Sequence, residues 1–79
     1  IKMIKKLDIP FIKSEMDKIK NFFAVGDYEK VILKTKVLLK KDASQPVFYN
    51  YLGVSYRQLN KLDDAERILK TGLKIFPKA

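Results

Sequence analysis

A chain of 79 residues with 17 basic and 9 acidic side chains carries a formal charge of +8 and contains neither cysteine nor histidine. These counts leave room for one small domain, which buries only about 60% of the surface its unfolded chain exposes. They exclude disulfides, thiolate metal centres and the Ser–His or Cys–His pairs of nucleophilic enzymes. No apolar run approaches the roughly 20 residues of a membrane span, and Ile1–Leu7 is too short and too charged for a signal-peptide core. The expected setting is cytoplasmic.

In chain order, the opening residues 1–11 admit two readings. Ile1 to Asp8 precede Pro10 much as Leu69 to Phe76 precede Pro77, so they read either as the tail of a preceding helix, with Ile4 and Leu7 packed on the next hairpin, or as a frayed terminus. An Ile in place of an initiator Met further suggests a fragment, or a chain whose true start is missing. Pro10 suits the first turn of a helix running to about residue 24, where a missing amide hydrogen costs nothing. Gly26 can take the left-handed conformation of a tight helical turn, and Asp27 suits the N-cap of a second helix reaching about Lys41. Pro46 opens a third helix, predicted over 46–59. Asn60 repeats the turn role of Gly26, Asp63 and Asp64 favour the positive end of a fourth helix, and Pro77 ends it.

The third and fourth helices carry a longer-range pattern. Tyr49, Leu52, Gly53, Tyr56, Ala65, Leu69 and Pro77 fall at the spacing W-x2-L-G-x2-Y, A-x3-F, P, with Tyr49 in place of Trp and Leu69 in place of Phe. The chain therefore resembles the tetratricopeptide repeat (TPR) family, whose unit is a helical hairpin of roughly 34 residues. Residues 46–79 match one repeat. Residues 12–45 form a weaker one: Gly26–Val31 lies over Asn60–Ala65, but Glu15, Lys18 and Ile19 stand where Tyr49, Leu52 and Gly53 do. An atypical terminal repeat is expected of a solenoid, whose end helix lacks a neighbour on one side. The resemblance implies an all-α domain of stacked antiparallel hairpins, and a scaffold that holds a peptide or partner protein without catalysing a reaction.

Each helix then divides into faces. Tyr49, Leu52, Gly53 and Tyr56 should meet Ala65, Ile68, Leu69 and Leu73 as core, with Gly53 and Ala65 small where the helices approach. The family binds ligands with the first helix of each pair. In the second repeat the free side of that helix carries Val47, Asn50, Val54 and Arg57, and the equivalent positions one repeat earlier are Lys13, Met16, Lys20 and Phe23. Together they form a candidate concave strip for an acidic peptide, with apolar anchors and a cationic rim. The opposing reading is that Met16 and Phe23 simply pack against Ile4, Leu7, Phe11 or Ile12. The carboxylate-clamp subtype does not transfer, because Lys20, Met16 and Tyr51 stand where that subtype has its Asn, Lys and second Asn. The asparagine ladder of glycosyltransferase arms fails likewise, since Asp17 and Tyr51 occupy its positions. A looser similarity to the TPR arms of large glycosyltransferases and sulfotransferases would make the chain a docking arm.

Other function classes find less support in the residues. The positive excess is lysine, dispersed and interleaved with acids; Lys30, Lys34 and Lys41 share a side of the second helix, but no RNA-binding aromatic signature or Arg-rich run accompanies them, so nucleic acid is disfavoured. Ser14, Ser44 and Ser55 have no evident activating base. Gly26, Gly53 and Gly72 are isolated and form no phosphate loop. No cofactor or metal is expected. Two repeats without a polar cap should leave an apolar end that includes Ile68, Ile75 and Phe76, to be covered by a longer parent chain, a partner or a homo-oligomer.

Overall fold

A computed structural model describes residues 8–77, with side-chain surroundings given from residue 11 onward. Ile4 and Leu7, expected to pack on the first hairpin, lie outside the described residues. Within the described residues four α-helices follow one another: α1 (Asp8–Ala24), α2 (Tyr28–Lys41), α3 (Pro46–Gln58) and α4 (Leu62–Ile75). Among the same residues there is no strand. The predicted boundaries agree within two residues. Pro10 sits in the first turn of α1 and Pro46 is the first residue of α3, where neither removes a helical hydrogen bond.

Local chemistry fixes the turns, and it does so twice. After α1, Asp27 N–H donates to Phe22 O at 2.8 Å and Gly26 N–H to Phe23 O at 3.1 Å; after α3, Lys61 N–H donates to Tyr56 O at 2.8 Å and Asn60 N–H to Arg57 O at 2.9 Å. This is the same Schellman-type closure, with Gly26 (φ 79°) and Asn60 (φ 59°) in the left-handed conformation it requires. The second helix of each hairpin also ends alike, Asp42 N–H on Leu38 O and Phe76 N–H on Gly72 O. Each of these pairs keeps the register that aligns Gly26 with Asn60, so the backbone repeats even where the side chains of the first hairpin do so weakly. The starts differ. Asp27 caps α2 through its side chain, accepting from Lys30 N–H at 3.4 Å, whereas Lys61 in the equivalent place provides no side-chain cap and α4 starts at Leu62, ahead of its first-turn acids Asp63 and Asp64.

Packing is sequential: α1 lies on α2, α2 on α3 and α3 on α4. The molecule measures 37 × 29 × 18 Å, and its thinnest dimension accommodates two helix layers. One core cluster joins Ile19, Val31, Leu38 and Phe48, and a second joins Ile32, Leu52, Tyr56 and Ala65. Leu39 touches both. Side chains as buried as Phe48 and Leu38 each contribute about 1.5–3 kcal/mol relative to exposure, and the helical period brings them to one side of each helix.

The helices share this burial unequally. Along α3, Phe48, Tyr49, Leu52, Gly53, Ser55 and Tyr56 are buried, but along α4 only Ala65 is. Gly53 is a close-approach residue, since a Cβ there would stand 2.5 Å from Leu69 Cδ2, and Ala65 is buried. Leu73 corrects the expected core. It is 59% exposed, because no element lies against that side of α4 among the described residues, while Ile68 and Leu69 are half-buried.

Candidate functional site

The eight side chains singled out in the sequence divide between four environments. Lys13, Met16 and Lys20 converge on one cleft of about 400 Å³, completed by Ile12 and Asp17 of α1 and by Asp42 and Gln45 from the α2–α3 connection. Met16 and Ile12 form its apolar floor, half-buried against the first core cluster. Lys13 and Lys20 stand exposed at its rim. Asp17, Asp42 and Gln45 are not signalled as site residues by the sequence, because only tertiary placement of the connection beside α1 brings the last two there.

Phe23 and Val47 are committed mainly to packing. The Phe23 ring meets Tyr51 edge-on at 5.2 Å and Tyr28 at 5.6 Å, and both Phe23 and Val47 lie against the first core cluster. Tyr51 thereby links α1 to α3. Its one signal in the sequence is its position a turn from Val47 and Val54, which a reading of the free side of α3 as continuous passes over. Asn50 is exposed but lines a different groove, between α3 and α4. Val54 is half-buried and Arg57 exposed, further along α3.

Electrostatics make the cleft mixed in sign. Asp42 is gathered by its own loop: the Ser44 hydroxyl and backbone N–H both donate to Asp42 Oδ1, and Gln45 Nε2 donates to Oδ2 at 3.4 Å. The Ser44 hydroxyl first, then its amide and Gln45, hold the Asp42 carboxyl below its ordinary range. An ionised Asp42 therefore faces a cleft rimmed by Lys13 and Lys20. The arrangement can hold a carboxylate against the lysines while Asp42 and Asp17 accept from amides or a cation on the same ligand.

Three lysines of α2, Lys30, Lys34 and Lys41, reach across the α1–α2 seam. Lys34 Nζ reaches Glu15 at 3.1 Å, Lys30 lies over the Phe22 ring at 5.3 Å and Lys41 over the Phe11 ring at 5.6 Å. Lys36 covers Tyr56 in the same way at 5.8 Å. Among the described residues no group of three or more acidic, His or Cys side chains is disposed to hold a metal ion, and no helix is long and apolar enough to cross a membrane. Comparisons with protein-family models, curated proteins and solved structures find no match.

Proposed function

We propose that this chain is a non-catalytic protein-interaction module of the TPR type, which binds a peptide segment of a partner protein on the face formed by α1 and α3. The observation that carries this reading is the cleft at Ile12, Met16, Lys13 and Lys20, an apolar floor with two lysines at its rim, on the side of α1 predicted from the repeat register. Recurrence of the turn hydrogen bonds in that same register supports the family reading. The preferred ligand carries an apolar side chain for the floor and a carboxylate for Lys13 and Lys20, the lysines adding steering and orientation. Phe23 and Val47 act through the wall behind the cleft, Val54 and Arg57 extend the surface along α3, and Asn50, in the α3–α4 groove, stands apart from it.

Selection of short random peptides against the chain tests this directly. Acidic peptides with a large apolar residue should be enriched, and their affinity should fall roughly tenfold or more in Lys13→Ala/Lys20→Ala while Lys40→Ala/Lys61→Ala changes little. Enriched peptides indifferent to Lys13 and Lys20 would sink the cleft assignment. The rival reading, a basic nucleic-acid surface, predicts instead oligonucleotide binding that collapses between low and moderate salt; the seam positions of Lys30, Lys34 and Lys41 count against it.

A further inference from the structure

A second surface lies at the other end of the molecule. A groove of about 290 Å³ runs between α3 and α4, lined by Pro46, Tyr49, Asn50, Leu69, Gly72, Leu73 and Phe76. The repeat itself indicates what fits there. Leu69 and Gly72 are the counterparts, one repeat on, of Thr35 and Leu38, which are wholly covered where α3 packs on the first hairpin. The α3–α4 groove is thus a helix seat whose helix is missing among the described residues.

A head-to-tail copy does not complete it. In that arrangement α1 of the next molecule would present Ser14, Lys18 and Asn21 where α3 presents Phe48, Leu52 and Ser55. All three α1 side chains are exposed and polar, whereas the α3 residues are buried. Such a polar face does not match the apolar one that α3 buries on the first hairpin.

The sequence of α4 favours a different geometry. Leu62, Glu66, Leu69, Leu73 and Phe76 follow one another at intervals of four, three, four and three, the seam spacing of paired helices, with Leu69 and Phe76 half-buried against Gly53 and Tyr49 of α3. Leu62 and Leu73, near opposite ends of this seam, are the most exposed of the large apolar side chains of α4, at 57% and 59%. Charge along the helix is uneven: Asp63, Asp64 and Glu66 outnumber Arg67 in the first half, while Lys70 and Lys74 occupy the second, with Arg67 paired to Asp64 at 3.3 Å and Lys70 to Glu66 at 2.8 Å within the helix. An antiparallel pairing of α4 with itself about a two-fold axis opposes Leu62 to Leu73 of the second copy. It also brings Asp63 and Glu66 toward Lys70 and Lys74 of that copy, and the same contacts form twice, as in any isologous interface.

We infer that the open α3–α4 face is a homodimerisation surface, with α4 crossing α4 of a second copy antiparallel. A helix of this length extends only about 21 Å, so the interface falls at the small end of the known range, below roughly 1,200 Å², where association is transient. The dimer should dissociate reversibly at micromolar concentrations.

Sedimentation equilibrium from low-micromolar to millimolar concentration tests the inference on the full chain. A monomer–dimer equilibrium is expected, and Leu73→Asp, at an exposed position, should abolish it while circular dichroism remains helical. The orientation is tested by charge reversal. Asp63→Lys/Glu66→Lys and Lys70→Glu/Lys74→Glu should each weaken self-association by roughly tenfold or more through like-charge opposition. An equimolar mixture of the two should form a heterodimer at least as tight as the unaltered homodimer. A chain that stays monomeric at millimolar concentration overturns the inference, as does a dimer unaffected by Leu73→Asp. A dimer lost instead on Lys18→Glu places the contact at α1, and failure of the two charge variants to complement rules out the antiparallel crossing.

Discussion

At the scale of single residues, both helical glycines, Gly53 and Gly72, lie close against a side chain of the facing helix. A Cβ at position 53 would lie 2.5 Å from Leu69 Cδ2 and 2.9 Å from Cγ, so Gly53→Ala forces the Leu69 side chain to turn. Overpacking costs about 1–3 kcal/mol, against which alanine returns about 0.5–1 kcal/mol of helix propensity. Urea unfolding should show a net loss of about 1 kcal/mol. Gly72→Ala meets Tyr49 Cβ at 3.1 Å and Cγ at 3.3 Å, a contact that a small shift relieves, and its net effect in the same experiment should be close to zero. Two buried hydroxyls behave oppositely. Thr35 Oγ1 and Ser55 Oγ have no hydrogen-bond partner among the described residues and no exposure, and an unpaired buried polar group costs about 1–3 kcal/mol. Thr35→Val and Ser55→Ala should each raise stability by about 1 kcal/mol; a loss in both would mean that these hydroxyls are satisfied in solution.

At the scale of helices, the seam between α1 and α2 is the polar one. Glu15 replaces the large apolar residue that Tyr49 supplies one repeat later, and it is still only 15% exposed at its side chain, held by Lys18 at 2.9 Å and Lys34 at 3.1 Å. Hydrogen bonding from Lys18 first, then from Lys34, lowers the Glu15 pKa from its ordinary 4.5. A depressed carboxyl pKa contributes stability that is fully present above the unfolded-state value and lost as pH falls through the folded-state value. The stability difference between the chain and Glu15→Gln should therefore be constant near neutrality and shrink below about pH 4.5, measured by urea titration at each pH. The turns and helix limits around this seam were legible in the sequence because Gly26, Asp27, Pro46 and Asn60 act through their own backbone neighbours. The composition of the cleft was legible only in part. Lys13, Met16 and Lys20 share a side of α1 by helical period alone, but Asp42 and Gln45 join them through the path of a connection, and Phe23 and Tyr51 pair through the relative rotation of α1 and α3, neither of which local spacing encodes.

Across the whole molecule, burial is graded from the middle outward. The α3 helix is packed between α2 and α4, whereas α4 is held on one side and carries a single fully buried residue, Ala65. Local opening should follow that gradient. Native-state hydrogen exchange at dilute concentration should find amides of α4 exchanging faster than those at Val31, Leu38 and Leu52, and the gap should narrow as concentration rises if α4 is covered by a second copy. Leu73, placed in the core by its helical position, illustrates why this gradient was hidden: period identifies an apolar face, but only the neighbouring element determines whether that face is covered. The ring contact between Phe23 and Tyr51, 5.2 Å centre to centre, acts as the string of a bow. It joins α1 to α3 directly, in addition to the packing of each helix on α2.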